Sequence, residues 1–366
     1  MNSLKDAAYM HLAYSLAEKA LGRASPNPYV GALVVKNDVI VGHGYHEGAG
    51  RPHAEIAALE RAGRRAKGGT LYVTLEPCVH WGRTPPCVDA VLSAGVKRVV
   101  ISSLDPNPLV FQKGVRKIRR AGIDVTVGVL EERNRRLNEF YAKYITRSIP
   151  FVTLKAALSL DGKMATKKFD SRWISSPPTR EYIHLLRAEY DALMVGVNTI
   201  IQDDPRLTVR HSNWQDKKLA RIILDGALRL PRQARILSTL AQGRTLVFTN
   251  MNAPRPKKEA LAKLGVEVIS LPGATAIVDL HRVLAALGKR EIASVLVEGG
   301  GRLATSLLEK KLADKVVLTI SPRFIGGKDA VSVFGGEGPK SLKDALSLNT
   351  VSSFQIGEDT LLEGYF

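Results

Sequence analysis

Apolar and polar positions alternate between helical and strand-like spacing along the first third of the chain. Residues 4–21 place apolar side chains near helical spacing, and the segments RPHAEIAALERAG, PPCVDAVLSAG and VRKIRRAG continue that pattern. Between them, GALVVKNDVIVGHGY predicts a β-hairpin that turns at Asn37 and Asp38, while TLYVTLEPC, VKRVVISSLDP and IDVTVG predict single strands. This order of elements predicts helices layered on a sheet.

The rest of the chain repeats the alternation after a charged stretch. EERNRRLNEFYAKYITR is predicted to be helical up to Ile149 and Pro150, and the strand FVTLKAAL follows directly. Further strands are predicted at DALMVGVNTI, ARIILDG, TLVFTN, VEVISL, SVLVEGGG and KVVLTISP, with helices such as TREYIHLLRAEY and HRVLAALGKR between several of them. We therefore predict an α/β protein with two domains, residues 1–147 and 148–366.

Charge narrows the choice of partners. The chain has 53 basic and 35 acidic residues, a formal net charge of +18, which favours anionic partners. Nucleic acid is one such partner, but the basic residues are spread along the chain and aromatic residues make up 6%, which is sparse for base stacking. We therefore expect phosphorylated small molecules and no nucleic acid. Without a signal peptide or a run of roughly 20 apolar residues, we expect no membrane contact and a cytoplasmic protein.

The two cysteines, Cys78 and Cys87, could form a disulfide or bind a metal. Nothing in the sequence suggests secretion, and the loop between them contains His and Gly, which favours a metal. His53 opens a predicted helix, Cys78 follows a predicted strand, and Cys87 opens the next helix. One imidazole and two thiolates suit Zn²⁺ and leave a fourth position open for water, as a catalytic zinc requires.

Glu55 lies two residues after His53, too close along the helix for a natural second ligand. It is placed to take a proton from water and to deliver it to the leaving amine. The pattern His-x-Glu followed by Pro-Cys is the signature of the zinc deaminases, which predicts hydrolytic deamination with Glu55 as the catalytic residue. The alternative is a structural zinc site, for which His80 would be the fourth protein ligand.

The segments SPNPYVGALVV, HEGAGRPHAE, TLEPCVHWGRTPPC and SLDPNP resemble the deaminase half of the bacterial bifunctional riboflavin-biosynthesis deaminase–reductases. The resemblance implies a cytidine-deaminase-like, three-layer α/β/α domain with Asn27, His46, Arg83 and Asn107 as substrate contacts. Asn27 and Asn107 precede prolines and could instead be turn residues, and His46 could be a surface histidine. After DPNP this chain has LVFQKGV, where the family usually has a small turn that contains glycine.

FVTLKAALSLDGKMA, SRWIS, HLLRAEYDALMVGVNTI, DDPRLTVR and VEGGGRL resemble the reductase half of the same family, a dihydrofolate-reductase-like α/β domain that binds NADPH without a Rossmann fingerprint. The resemblance implies a substrate site of Ser171, Arg187, Leu207, Arg210 and Glu298, with Lys155 near the sugar. It implies an NADPH site of Ala157, Trp173, Thr199, Asp203 and the turn Gly300, Gly301, Arg302, Leu303, Ala304, Thr305 and Ser306. The two arginines could instead be structural ion pairs, and Lys155 a strand-edge charge. KKFDSRW lacks the glycine usual before this motif.

The combined expectation is a bifunctional enzyme. Its first site would deaminate 2,5-diamino-6-(5-phosphoribosylamino)pyrimidin-4(3H)-one with zinc, and its second would reduce the ribosyl group to ribityl with NADPH. Family precedent implies a homo-oligomer. The competing enzyme hypothesis is a nucleic-acid or nucleobase deaminase, and the non-enzymatic hypothesis is a basic RNA-binding protein with a structural zinc.

Overall fold

The computed structural model describes residues 2–82, 85–273, 277–336 and 338–366. The chain divides into two compact units, residues 1–149 and 150–366, which are called the first and second unit below. The division falls directly after the charged helical stretch. Within the described residues no helix is both long enough and apolar enough to cross a membrane.

The first unit is built on a five-stranded sheet in the order β2-β1-β3-β4-β5. Its strands are β1 (Gly31–Lys36), β2 (Val39–Tyr45), β3 (Thr70–Leu75), β4 (Arg98–Ser103) and β5 (Asp124–Val127). Its helices are α1 (Asn2–Ala17), α2 (Ala54–Ala62), α3 (Cys87–Ser93), α4 (Lys113–Arg120), α5 (Glu131–Leu137) and α6 (Glu139–Arg147). β1 runs antiparallel to β2 and β3, while β3, β4 and β5 are parallel.

Alternating residues of these strands build two separate apolar layers. Ala32 and Val34 pack with α2, α3 and α4 on one face of the sheet, and Leu33 and Val35 pack with α1 on the other. Successive side chains of a strand point to opposite faces, so a continuously apolar strand can be covered by helices on both sides. The predicted three-layer α/β/α arrangement is confirmed.

Two glycines of β2 set the distance between the sheet and α2. A Cβ atom added at Gly42 would lie 2.2 Å from the carbonyl oxygen of Ala58, and one at Gly44 would lie 2.8 Å from that of Ala54. The helix backbone therefore approaches the strand more closely than any side chain would allow. This contact fixes the first turn of α2, where the candidate deaminase residues lie.

The second unit is built on a nine-stranded sheet in the order β11-β10-β9-β8-β12-β6-β13-β16-β15. Its strands are β6 (Phe151–Ser159), β7 (Lys163–Ala165), β8 (Ala192–Gly196), β9 (Ala220–Leu224), β10 (Thr245–Asn250), β11 (Glu267–Leu271), β12 (Ser294–Val297), β13 (Lys315–Ser321), β14 (Val331–Ser332), β15 (Thr350–Ile356) and β16 (Asp359–Tyr365). Its helices are α7 (Pro177–Glu189), α8 (Val197–Asp203), α9 (Arg235–Ser238), α10 (Arg255–Lys263), α11 (Leu280–Gly288) and α12 (Gly301–Glu309).

The strands from β11 to β13 are parallel, and β16 and β15 continue the sheet in antiparallel pairing. β12 lies between β8 and β6, with Val295 paired to Ala192 on one side and to Val152 on the other. β7 and β14 form a separate two-stranded ribbon. The predicted α/β class is confirmed for this unit as well.

Two local predictions need correction, and one region had no predicted element. The charged stretch is two helices, α5 and α6, which meet at Asn138. The segment DALMVGVNTI is a strand only as far as Gly196, after which α8 begins. The last residues, which carried little signal in the sequence, form the β15–β16 hairpin that completes the sheet.

Candidate active sites

The start of two helices and the end of one strand bring together a metal-binding cluster in the first unit. His53 is the N-cap of α2, Cys87 is the first residue of α3, and Cys78 lies in the loop after β3. The Nδ1 atom of His53 lies 3.0 Å from the Sγ atom of Cys87 and 3.6 Å from that of Cys78. The three ligand atoms all lie within 4.8 Å of one another.

The donor set fits zinc. Tetrahedral coordination with ordinary zinc–sulfur and zinc–nitrogen bonds places S and N ligands roughly 3.6 Å apart, close to the separations found here. Both thiols are free, which removes the disulfide alternative. Hydrogen bonds from Cys87 and His53, against the opposing effect of burial, lower the pKa of Cys78. The thiolate, which is the form that binds metal, is therefore favoured at this position.

The cluster contains three protein ligands among the described residues, and His80 is not a member. A structural zinc site uses four protein ligands, whereas a catalytic one uses three and leaves a position for water or substrate. The geometry therefore favours the catalytic alternative over the structural one.

Glu55 lies in the first turn of α2 and is only 4% exposed. Burial raises the pKa of its carboxyl to about 7, although the neighbouring His53 opposes that shift. A carboxyl group that titrates near neutral pH can both accept and return a proton during a reaction. Glu55 stands outside the group of ligand atoms, as the sequence predicts.

His46 and Asn27 form a hydrogen-bonded pair beside the cluster. The His46 ring is 3% exposed and meets the His53 ring edge-on, with 5.2 Å between the ring centroids. Its Nδ1 atom lies 3.1 Å from the carbonyl oxygen of Pro52, so Nδ1 must carry the proton and donate it. Nε2 is then an acceptor for the side-chain amide of Asn27, at 2.9 Å. His46 is thus a buried residue next to the metal ligands, and burial lowers its pKa.

Glu76 was not singled out from the sequence, yet its buried carboxylate anchors the loop that follows β4. Oε2 accepts hydrogen bonds from the backbone N–H groups of Asp105 and Gln112, and Oε1 accepts one from Val115. Because Glu76 stands two residues before Cys78, this carboxylate ties the loop to the metal-binding segment. Its position in the motif EPC is the signal that could have found it.

The two remaining predicted substrate contacts of this site are Asn107 and Arg83. The side-chain oxygen of Asn107 accepts the N–H of Leu109 at 3.0 Å, so Asn107 shapes its own turn, and its contact with the substrate stays a prediction. Arg83 lies outside the described residues.

The second unit contains a cleft of about 340 Å³ on which most of the predicted reductase residues lie. Those that line it are Lys155, Ala157, Ser171, Trp173, Arg187, Thr199, Asp203, Arg210, Glu298 and Gly300. Leu207 is buried and does not line it, and the start of α12, directly after Gly300, consists of Gly301, Arg302, Leu303, Ala304, Thr305 and Ser306. The cleft thus gathers residues from β6, α7, α8 and the β12–α12 turn.

A buried ion pair lies in this cleft. Nε and Nη2 of Arg187 each lie 2.6 Å from a carboxylate oxygen of Glu298, and Nη1 donates to the carbonyl oxygen of Thr208. Burial alone would raise the pKa of Glu298, but Arg187 and then Lys155 lower it to about 2. Burial also lowers the pKa of Lys155. The structure therefore pairs Arg187 with Glu298 at the lining of the cleft, and the substrate contacts of both residues stay predictions.

Two further residues of α7 face the cleft and were not predicted. Arg180 stacks its guanidinium 4.6 Å above the ring of Trp173, and His184 lies between Arg187 and Arg210. Burial, and then the charges of both arginines, lower the pKa of His184 to about 4. The signal was available, because positions 180, 184 and 187 share one face of a helix.

The start of α12 fits the phosphates of a dinucleotide. Gly300 is its N-cap and provides no side-chain cap, so the first N–H groups of the helix are available to an anion. A Cβ added at Gly300 would meet open space, whereas one at Gly301 would lie 3.0 Å from the carbonyl oxygens of Ser332 and Val333. Gly301 is therefore needed for packing against β14, and Gly300 leaves room for a ligand.

Comparison with known proteins gives matches over the whole chain. Residues 150–362 match the RibD C-terminal domain, and residues 3–103 match the cytidine and deoxycytidylate deaminase zinc-binding region. The riboflavin biosynthesis protein RibD of Aquifex aeolicus is 48% identical over 98% of this chain and 97% of its own, and that of Escherichia coli is 38% identical over 98% and 99%.

Two solved structures also match this chain over its whole length. Acinetobacter baumannii RibD superposes with a TM-score of 0.87 at 35% identity, covering 100% of this chain and 99% of that one. A Thermotoga maritima protein described as a diaminohydroxyphosphoribosylaminopyrimidine deaminase/5-amino-6-(5-phosphoribosylamino)uracil reductase gives 0.86 at 36% identity with the same coverage.

Proposed function

The chain belongs to the RibD family of riboflavin-biosynthesis proteins, and on that premise we propose which of its residues carry each reaction. It is a bifunctional enzyme with a zinc-binding deaminase domain and a reductase domain that uses NADPH. We assign residues 1–147 to the deaminase and 148–366 to the reductase. A small pyrimidine is the substrate class, and the finer assignment is the 5′-phosphorylated 2,5-diamino-6-ribosylaminopyrimidinone.

In the deaminase, His53, Cys78 and Cys87 hold the zinc. Zinc, when bound, supplies a Lewis acid that makes water a nucleophile near neutral pH. Glu55 would accept one proton of that water and deliver it to the ring, and would then take the second proton from the hydroxyl on the attacked carbon and deliver it to the departing amino group, because its raised pKa allows each transfer. The observation that carries this assignment is the three-ligand cluster with Glu55 buried beside it.

Asn27 and His46 orient the pyrimidine. The Pro52 carbonyl fixes the His46 tautomer, and His46 in turn fixes which end of the Asn27 amide points towards it. The Asn27 oxygen is then presented as an acceptor, which suits an amino or ring N–H group of the substrate. Arg83 and Asn107 stay predictions as substrate contacts.

In the reductase, the N-terminus of α12 and residues Trp173, Thr199 and Asp203 hold the dinucleotide. NADPH, when bound, supplies the hydride that reduces C1′ of the ring-opened ribosyl group. Lys155 and Glu298 contact the sugar, and the lowered pKa of Lys155 suits it to hold or donate a proton there. Arg210 makes no salt bridge within the described part of the chain, and we assign it to the substrate phosphate. Ser171, Arg187 and Leu207 stay predictions as substrate contacts.

The decisive experiment is a coupled assay of the zinc-loaded full-length protein on the diaminopyrimidinone phosphate, analysed by mass spectrometry with and without NADPH. We expect deaminated product alone without NADPH, and the reduced ribityl product when NADPH is added. Substrate that stays unchanged in both samples would refute the assignment.

Cytidine and tRNA in parallel reactions test the competing deaminase hypothesis. Turnover of either one at a rate comparable to the pyrimidinone would favour it. The homo-oligomeric state and the cytoplasmic location stay predictions.

A further inference from the structure

A second cleft in the second unit, of about 500 Å³, is formed by the segment 206–218 and residues 241–242. It is called the basic cleft here. Its charged lining consists of Arg206, Arg210, Lys217, Lys218 and Asp216. Of the residues assigned above to substrate or cofactor, Arg210 alone lines it, and Arg210 also lines the reductase cleft. Four cations against one carboxylate make it a site for an anion.

A buried arginine lies beneath the basic cleft and joins its two walls. Arg221 on β9 is 0% exposed. Its Nη1 donates to the Thr239 hydroxyl at 2.7 Å and to the Arg206 carbonyl at 3.5 Å, and Nη2 donates to the Gly243 carbonyl at 2.8 Å. One wall contains Arg206, and the other continues into Gly243, so the guanidinium links them.

The charge of Arg221 has no counter-charge. Its acceptors are all neutral, its Nε atom has no hydrogen-bond partner, and no carboxylate among the described residues pairs with it. Burial lowers its pKa to about 10. A buried cation without a partner is costly, and an anion in the cleft above it would offset that cost.

The wall of the cleft also contains an unsatisfied hydroxyl. Thr208 is 8% exposed, and its Oγ1 atom is buried without a hydrogen-bond partner in the described structure. Arg206 likewise makes no salt bridge with any described residue. Burial, and then the charges of Arg187 and Arg206, lower the pKa of Arg210, and the carboxylate of Glu298 opposes that shift. An excess of donors over acceptors is the arrangement that binds phosphate.

We propose that the basic cleft is a second phosphate-binding site, which takes the phosphate group of a small phosphorylated ligand while the reductase cleft is occupied. This inference goes beyond the two reactions, neither of which requires the site.

The test measures inorganic phosphate binding to the full-length zinc-loaded protein by calorimetry, at constant ionic strength, after saturation with NADPH and the ribityl product. The variant is the double substitution Arg206→Gln and Lys218→Gln. Both side chains are exposed, so the fold should survive. The control is Arg232→Gln with Lys263→Gln, which removes the same charge from exposed positions of the same unit outside the basic cleft.

We expect wild type and control to bind phosphate equally under saturation, and the Arg206/Lys218 variant to bind it about tenfold more weakly, as the loss of two charge-assisted contacts implies. Phosphate binding that disappears on saturation would assign the anion to the substrate's own site and overturn the proposal. Equally weakened phosphate binding in both double variants would show that general surface charge attracts the anion, and would also overturn the proposal. NADPH binding, measured in the same samples, separates these outcomes from a failure of the reductase assignment.

Discussion

The two active sites differ in how far along the chain their parts are spread. The deaminase ligands and Glu55 lie between His53 and Cys87, at the starts of two neighbouring helices and the end of one strand. The reductase cleft collects residues from Lys155 to Gly300, and these meet only because β12 lies between β8 and β6. A locally built site can be recognised from sequence chemistry, whereas a distributed one depends on the strand order. The predictions below test this contrast, from the largest expected effect to the smallest.

The largest effect is expected for Glu55→Gln. The amide keeps the shape of the side chain but cannot move a proton, so deamination should fall by about 10²–10⁴-fold. Zinc content, measured by metal analysis, should stay at the wild-type value because Glu55 is not a ligand. The reductase, assayed on the deaminated intermediate with NADPH, should keep its rate. A variant with normal deamination would remove Glu55 from its assigned role.

Glu298→Gln should destabilise the second unit strongly. The substitution leaves Arg187 and Lys155 without their buried counter-charge, and breaking a buried ion pair costs about 3–5 kcal/mol. The measurement is the free energy of unfolding from denaturant titration. Because the folded pKa of Glu298 is lowered to about 2, its contribution is complete above the unfolded pKa near 4.3 and is lost as the pH falls towards 2.

Glu267→Gln is the matched control for that change. Glu267 also pairs with two arginines, Arg244 and Arg290, but at a more exposed position, where an ion pair is worth about 0–1 kcal/mol. An equal loss of unfolding free energy in the Glu298 and Glu267 variants would show that burial does not make the Glu298 ion pair more stabilising than an exposed one.

Glu76→Gln tests whether the deaminase site also depends on the loop after β4, which Glu76 ties to the metal-binding segment. An uncharged amide can replace only part of the three backbone hydrogen bonds that Glu76 accepts. We expect a roughly tenfold rise in the deaminase KM, with kcat less affected and zinc retained, since a hydrogen bond to a charged group is worth about 1.5–3 kcal/mol. Asp6→Asn is the control, because Asp6 is also buried but binds Arg98 and Tyr72. A similar KM rise in both variants would indicate general loss of stability.

The smallest effect is expected for His184→Gln. Its folded pKa of about 4 lies below the unfolded value near 6.5, so the folded state resists protonation. Its contribution to stability is present above pH 6.5 and is lost as the pH falls towards 4. The variant should therefore lose less stability than wild type between these pH values, as measured by the unfolding free energy. The exposed His281→Gln serves as control, and identical pH profiles for all three proteins would contradict the assignment.

The metal cluster and the order of most elements could be predicted because their signals are local. His53, Glu55, Cys78 and Cys87 each stand at a recognisable helix start or strand end, and the hairpin turn at Asn37 and Asp38 has the left-handed backbone that these residue types tolerate. The apolar strands follow from the same kind of pattern, since a strand covered on both faces is apolar throughout.

What sequence reasoning missed depends on distant contacts. The charged helix breaks at Asn138 because that side chain binds both backbone groups of Tyr29, at 2.7 and 3.0 Å, more than a hundred residues away. α8 was predicted as part of a strand because four of its residues, Val197, Thr199, Ile200 and Ile201, are β-branched, a preference that tertiary structure overrides. The pairing of Arg187 with Glu298 follows from strand order and from no local pattern.

The position of β12 also affects the order in which the two sites can form during synthesis. Every element of the first unit has been made once residue 149 is reached. β6 and β8 are synthesised before β12, the strand that pairs with both of them. Glu298 follows β12 directly in the chain. At about 5–20 residues per second, on the order of 10 s separate Lys155 from its carboxylate partner. Until then two strands of the future centre of the sheet have exposed edges, and a nascent chain needs protection from aggregation during that interval.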